Sequence, residues 1–73
     1  MRHPTKRQIE ILDYILGYRV ATGIAPSLVD IARHFQFNVN AAKTHIVAME
    51  KKGMIHTIEG IRRSITIPMV KKR

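Results

Sequence analysis

No cysteine occurs in this 73-residue chain. That removes disulfide frameworks and thiolate metal sites from consideration and fits a reducing compartment. No stretch reaches the roughly 18 consecutive apolar residues that span a bilayer. Residues 1–8 are basic and polar, with no apolar signal-peptide core behind them. Aromatic residues make up only 5% of the chain and form no platform for stacking the bases of RNA. A basic amphipathic helix that would lie on a membrane is also missing. Acidic residues are few: five Asp and Glu stand against thirteen Lys and Arg, for a formal net charge of +8. These absences lead to the expectation of a soluble, cytoplasmic (nucleoid-associated) protein without a membrane partner.

What is present fits one small globular domain. Hydrophobic residues reach 45%, too many for a disordered tail. A domain of this length buries only about 60% of the surface its unfolded chain exposes. A thin core is therefore expected, and a deep substrate pocket is not. The positive excess points to a polyanion. It is uneven: Lys51, Lys52, Arg62, Arg63, Lys71, Lys72 and Arg73 follow one another against Glu59 alone. The plainer alternative is a solvated basic surface with no partner.

Three helices can be read along the chain. Thr5 and Gln8 have the spacing of a capping box, which starts the first helix at about residue 6. Ile9, Ile11, Leu12, Ile15, Leu16 and Val20 then predict a broad apolar face, with Gly23 as the C-terminal cap after residue 22. Ser27 caps a short second helix over 28–35, where Asp30 favours the positive end of the helix dipole and Leu28, Ile31, Ala32 and Phe35 face inward. After a tight connection, the third helix is expected over 40–52, capped by Asn38 or Asn40. Its inward face is Ala42, Ile46 and Met49, and its outward face is Asn40, Ala41, Lys43, Thr44, Val47 and Lys51. The pattern then changes to period 2. Strands are expected over 54–59 and 64–68 around a turn at 60–63, followed by a basic tail at 69–73.

The predicted fold class is mostly α with a small β-hairpin: a winged helix-turn-helix of three helices plus a two-stranded wing, spanning residues 1–73 as a single domain. Asn40, Ala41, Lys43 and Thr44 near the start of the third helix are the candidate base-proximal residues, because a major groove admits a helix. Asn40 has a plain helix cap as its alternative role. Arg62 and Arg63 at the hairpin tip suit phosphate, since guanidinium forks match its oxygens. Thr5, Lys6 and Arg7 at a helix start, Ser27, and Lys51 complete the candidate phosphate contacts. Capping for Thr5 and Ser27, and a dipole effect for Lys51 and Lys52, are the plainer readings.

Five stretches together carry a resemblance: Thr5 to Ile11 (TKRQIEI), Thr22 to Ser27 (TGIAPS), Asp30 to Ala32 (DIA), Asn40 to Ala42 (NAA) with His45, and Lys52 to Ile55 (KGMI). From Pro4 to Ile67 the chain resembles the N-terminal DNA-binding domain of LexA-type repressors. The resemblance implies a winged helix-turn-helix whose third helix reads an operator as part of a dimer, in a repressor of the SOS-response kind. Two features depart from that family. The turn before Asn40 is one residue shorter, and Lys43 and Thr44 stand where the best-known members carry acidic residues that read the operator. Asn40 and Ala41 therefore carry over as base-proximal, whereas the target sequence does not. LexA-type proteins continue into a self-cleaving, dimerising domain with a Ser/Lys dyad. The 73 residues leave no room for it, and self-cleavage is not assigned. The chain is then a stand-alone domain or a fragment, and Met1 with the basic end leads to the expectation of the former.

No catalytic, cofactor or metal site is expected. His3, His34, His45 and His56 are scattered without ligand spacing. His45 reads as a packed or DNA-flanking residue, and Tyr14 and Tyr18 as edges of the core. The expected partner is double-stranded DNA, with a homodimer forming on it. A competing reading is a winged-helix protein-interaction module, an anti-repressor or a subunit of a larger complex, that uses Ile61, Met69 and Val70.

Overall fold

The structure, a computed structural model, describes residues 3–67. Helix α1 spans Lys6–Thr22, α2 spans Leu28–Phe35 and α3 spans Val39–Lys51. Each begins at a side chain that accepts from an otherwise unpaired backbone N–H. At α1 the Thr5 hydroxyl accepts from Gln8 N–H at 3.1 Å while Thr5 N–H donates to Gln8 Oε1 at 3.0 Å. The same reciprocal pair forms at α2 between Ser27 and Asp30, at 3.1 and 3.0 Å. For α3 the cap is Asn38, whose Oδ1 accepts from Ala41 N–H at 2.8 Å. Asn40 is thereby released from capping and becomes the second residue of the helix.

Helix ends are set as firmly. Gly23 closes α1 in the left-handed region at φ 81° and donates to the Arg19 carbonyl at 2.8 Å. At the end of α2 the left-handed residue is Gln36, with φ 62°, a conformation that costs a residue with a Cβ about 1–2 kcal/mol. It turns the chain so that Phe37 N–H can donate to the Ala32 carbonyl at 2.9 Å. Only Gln36, Phe37 and Asn38 separate α2 from α3.

The core lies where the three helices meet. It is built on Ile11 and Ile15 of α1, Ile31 of α2, and Ala42, Ile46 and Met49 of α3. The inward face expected for α3 is buried as read. On α1 the buried stripe is narrower than the apolar pattern. Ile9, Leu16 and Val20 are exposed, Val20 by 87%. The neighbouring elements cover one side of this helix, and those three residues lie on another. A polar residue is buried in their place: Gln8, 5% exposed. Its side-chain oxygen accepts from Thr5 N–H and from Lys52 Nζ at 2.8 Å, so its burial leaves no orphaned acceptor.

Beyond α3, Gly53 takes φ 79° and the chain returns across the core, contributing Ile55 and Ile65. The expected two-stranded wing is reduced here. His56 and Thr66 form one antiparallel bridge with two 2.8 Å backbone hydrogen bonds, and no strand is formed among the described residues. One side chain ties the segment to α3, and another takes the backbone groups that would extend the ladder. Thr57 donates its hydroxyl to Glu50 Oε1 at 3.0 Å. Ser64 Oγ accepts from Ile58 N–H at 3.0 Å and donates to the Ile58 carbonyl at 3.2 Å. Pro68, at the end of the second expected strand, and the 69–73 tail lie outside the described residues.

Candidate nucleic-acid interface

The outward face of α3 carries Asn40, Lys43, Thr44, Val47 and Lys51, all exposed. Three of the four expected base-proximal residues thus share one face. Thr44 donates its hydroxyl to the Asn40 carbonyl at 3.0 Å, which leaves its oxygen lone pairs able to accept. Ala41 sits around the helix from them and is half-buried.

A groove of about 520 Å³ runs between this helix and the 57–65 segment. Lys43 and Val47 of α3 line it together with Ser27, Arg62 and Arg63, and Glu50, Glu59 and several apolar side chains complete the lining. Four residues expected from the sequence to meet DNA therefore surround a single channel. Its cationic groups, Lys43, Arg62 and Arg63, come from two segments of the chain, α3 and the 57–65 segment.

Arg63 departs from the outward-pointing contact expected at a hairpin tip. Its Nη1 donates to Asp30 Oδ2 at 2.9 Å, to the Ala25 carbonyl at 3.1 Å and to the Tyr18 hydroxyl at 3.2 Å. Its backbone is left-handed, with φ 56°. The Tyr18 hydroxyl, followed by the Asp30 charge, raises the guanidinium pKa further above its ordinary value. The Ser27 backbone N–H holds the Asp30 carboxyl below its usual range, and Arg63 adds to that. Burial, then the Asp30 charge, raises the Tyr14 phenol. Arg62, one residue earlier, remains exposed.

The start of α1 forms a second basic region. Lys6 is exposed there. Arg7 pairs with Glu10 at 3.1 Å and lies 5.4 Å from the centre of the Phe37 ring. Phe37 in turn stacks on His45 of α3, with centroids 5.0 Å apart. His45 is thus a packed residue that couples the Arg7 region to α3. Lys52 points inward, toward Gln8 Oε1 and the His3 carbonyl, whereas Lys51 is exposed at the end of α3. His34 stacks on Tyr14, and His56 approaches Glu50 at 3.8 Å. No group of three metal-ligating side chains occurs among the described residues.

One feature escaped the sequence reading. The Asp30–Arg63 tie joins residues 33 apart, and only their opposite charges hinted at it.

Three helices in this order, with α2 and α3 joined by three residues and a polar outward face on α3, have the layout of a helix-turn-helix domain. Comparison with known families agrees: the family model described as "LexA DNA binding domain" matches residues 1–64, and the chain belongs to that family. Among its relatives, the LexA repressor of Verrucomicrobium spinosum is 40% identical over 70 residues, 94% of this chain and 35% of that protein. The LexA repressor of Shewanella frigidimarina is 42% identical over 69 residues, 93% of this chain and 34% of its own length. That of Petrotoga mobilis is 46% identical over 56 residues, 75% and 27% respectively. The chain spans about one third of the length of these relatives.

Proposed function

We propose that this domain binds double-stranded DNA as the sequence-reading part of a transcriptional repressor. In this reading α3 enters the major groove, and the 57–65 segment acts as the wing against the backbone or the adjacent minor groove. The observation that carries it is the outward face of α3, where Asn40, Lys43 and Thr44 stand exposed beside a groove edged by Arg62. Membership of a DNA-binding family and the net charge of +8 support it. Asn40, Lys43 and Thr44 address base edges, with Ala41 letting the helix approach closely. Thr5, Lys6, Arg7, Ser27, Lys51 and Arg62 address phosphates, and Arg63 does so through the nitrogens it does not use on Asp30. Two copies on a pseudo-palindrome would lie about 34–36 Å apart, one turn of DNA. Such a protein works in the cytoplasm, at the nucleoid, and needs no cofactor.

The test is a fluorescence-anisotropy titration of the protein against a random duplex and against a duplex from the region upstream of its own gene, over a salt series. Expected is binding of the upstream duplex about 1,000-fold or more tighter than the random one. The logarithm of the affinity should fall with log salt by about 0.9 for each phosphate neutralised. No binding of either duplex at low salt overturns the proposal. The second reading, a protein-interaction module, draws support from Ile61, 59% exposed beside the groove. Its other contact residues, Met69 and Val70, lie outside the described residues.

A further inference from the structure

Val47 is an exposed apolar residue set between polar residues on the outward face of α3. On a helical projection it lies between Lys43 and Asn40, the three falling within about 60° of arc. It is 43% exposed, whereas the adjacent Ile46 is 5% exposed. The core contacts of α3 are made by Ala42, Ile46 and Met49, and Val47 instead lines the groove, beside Val39, Ile58 and Ile61. Val47 can neither hydrogen-bond a base nor pair with a phosphate. One apolar group in the major groove suits it, the C5 methyl of thymine. Lys43, one turn earlier and lining the same groove, presents an ammonium with three donors and no acceptor. Those donors suit O6 and N7 of guanine, which accept side by side in the major groove. Four residues of helix separate the two by about 6 Å, close to two base-pair steps of about 3.4 Å.

We infer that Lys43 and Val47 set the specificity of this domain, which selects a half-site holding a guanine and, about two base pairs away, a thymine read through its methyl group. The inference rests on the DNA-binding reading above.

The experiment enriches duplexes from a randomised pool on the 73-residue protein and then titrates the enriched duplex. Each thymine is replaced in turn by deoxyuridine, which lacks only the methyl, and each guanine by 7-deazaguanine, which lacks N7. Wild-type protein is expected to lose about fourfold in affinity at one deoxyuridine, the value of one buried methyl-sized group. Val47→Ala should lose as much on the thymine duplex and nothing more on deoxyuridine. Lys43→Ala should abolish the penalty of one 7-deazaguanine, placed about two base pairs from that thymine. The wild-type arm needs no variant to fold, and circular dichroism checks the two that are made. Equal wild-type affinity for every deoxyuridine duplex, or a Val47→Ala protein that still discriminates, overturns the inference. Salt-sensitive retention of all duplexes without enrichment overturns it alone. Retention of none overturns the DNA-binding reading as well.

Discussion

The Arg63 guanidinium donates to the Asp30 carboxylate at 2.9 Å, and Asp30 also accepts from the Ser27 N–H that opens α2. One carboxylate therefore serves both the helix cap and the anchoring of the loop that follows the core. Arg63→Ala is expected to loosen that loop without unfolding the helices. Amide hydrogen exchange measured by NMR should quicken at His56 and Thr66, the one backbone bridge of the segment, and stay unchanged in α3. Lysine at 63 should restore only part of the protection, because its ammonium keeps the charge but ends one bond short of the Nη1 position that meets Asp30, Ala25 and Tyr18. Unchanged exchange at His56 and Thr66 would mean that Ile65 packing alone holds the loop.

Asp30 also sets a pH dependence. Its folded carboxyl titrates below its ordinary value, first because of the Ser27 backbone N–H. A depressed acid favours the folded state wherever it is ionised. Its contribution is complete above the unfolded value of about 4 and disappears as the pH falls through the lower folded value. Asp30→Asn should therefore cost stability at pH 7, and its difference from wild type should narrow as the pH falls below about 4. Urea unfolding at several pH values measures this. A difference that is constant over that range would remove Asp30 from the acid response.

Helix positions, caps and the buried face of α3 were legible because each rests on local chemistry: Thr5 with Gln8, Ser27 with Asp30, and the spacing of Ala42, Ile46 and Met49. The extent of burial on α1 was not. Periodicity ranks Val20 with Ile15, yet Ile15 is fully buried and Val20 is 87% exposed, since which side receives a neighbour is decided by tertiary packing. The strands failed for a related reason. Alternating residues predicted a ladder, but the Ser64 hydroxyl, across the turn, takes the Ile58 N–H and carbonyl that would extend it. On the candidate interface, the residue types were visible from the start. The inward turn of Arg63 was not, because it depends on where Asp30 lies in space.

That contrast on α1 can be measured. Val20→Lys should change stability by no more than about 0.5 kcal/mol, as surface substitutions do. Ile15→Ala should cost about 2–5 kcal/mol, through lost burial and the cavity left behind. Urea denaturation of the two variants separates the cases. A loss of more than about 1 kcal/mol in Val20→Lys would restore Val20 to the core and imply a partner or packing not seen in this fold.

Two basic residues in the C-terminal half make a final comparison. Arg62 is exposed beside the groove, whereas Lys52 Nζ is held by Gln8 and His3. If salt dependence counts the cations that meet phosphates, Arg62→Ala should lower the slope of log affinity against log salt by about one, on specific and random duplexes alike. Lys52→Ala should leave the slope unchanged and lower stability by about 0.5–1.5 kcal/mol, because it removes one of the two donors to the buried Gln8 carbonyl and Thr5 N–H remains. Anisotropy titrations over a salt series, paired with thermal unfolding, give both quantities for each variant. The two substitutions delete the same formal charge, so net charge alone predicts equal slopes. An equal fall in slope for both would show that DNA senses the charge of the whole domain, and would remove the wing from the interface. Unequal slopes with the larger change at Arg62 would place phosphate against the 57–65 segment.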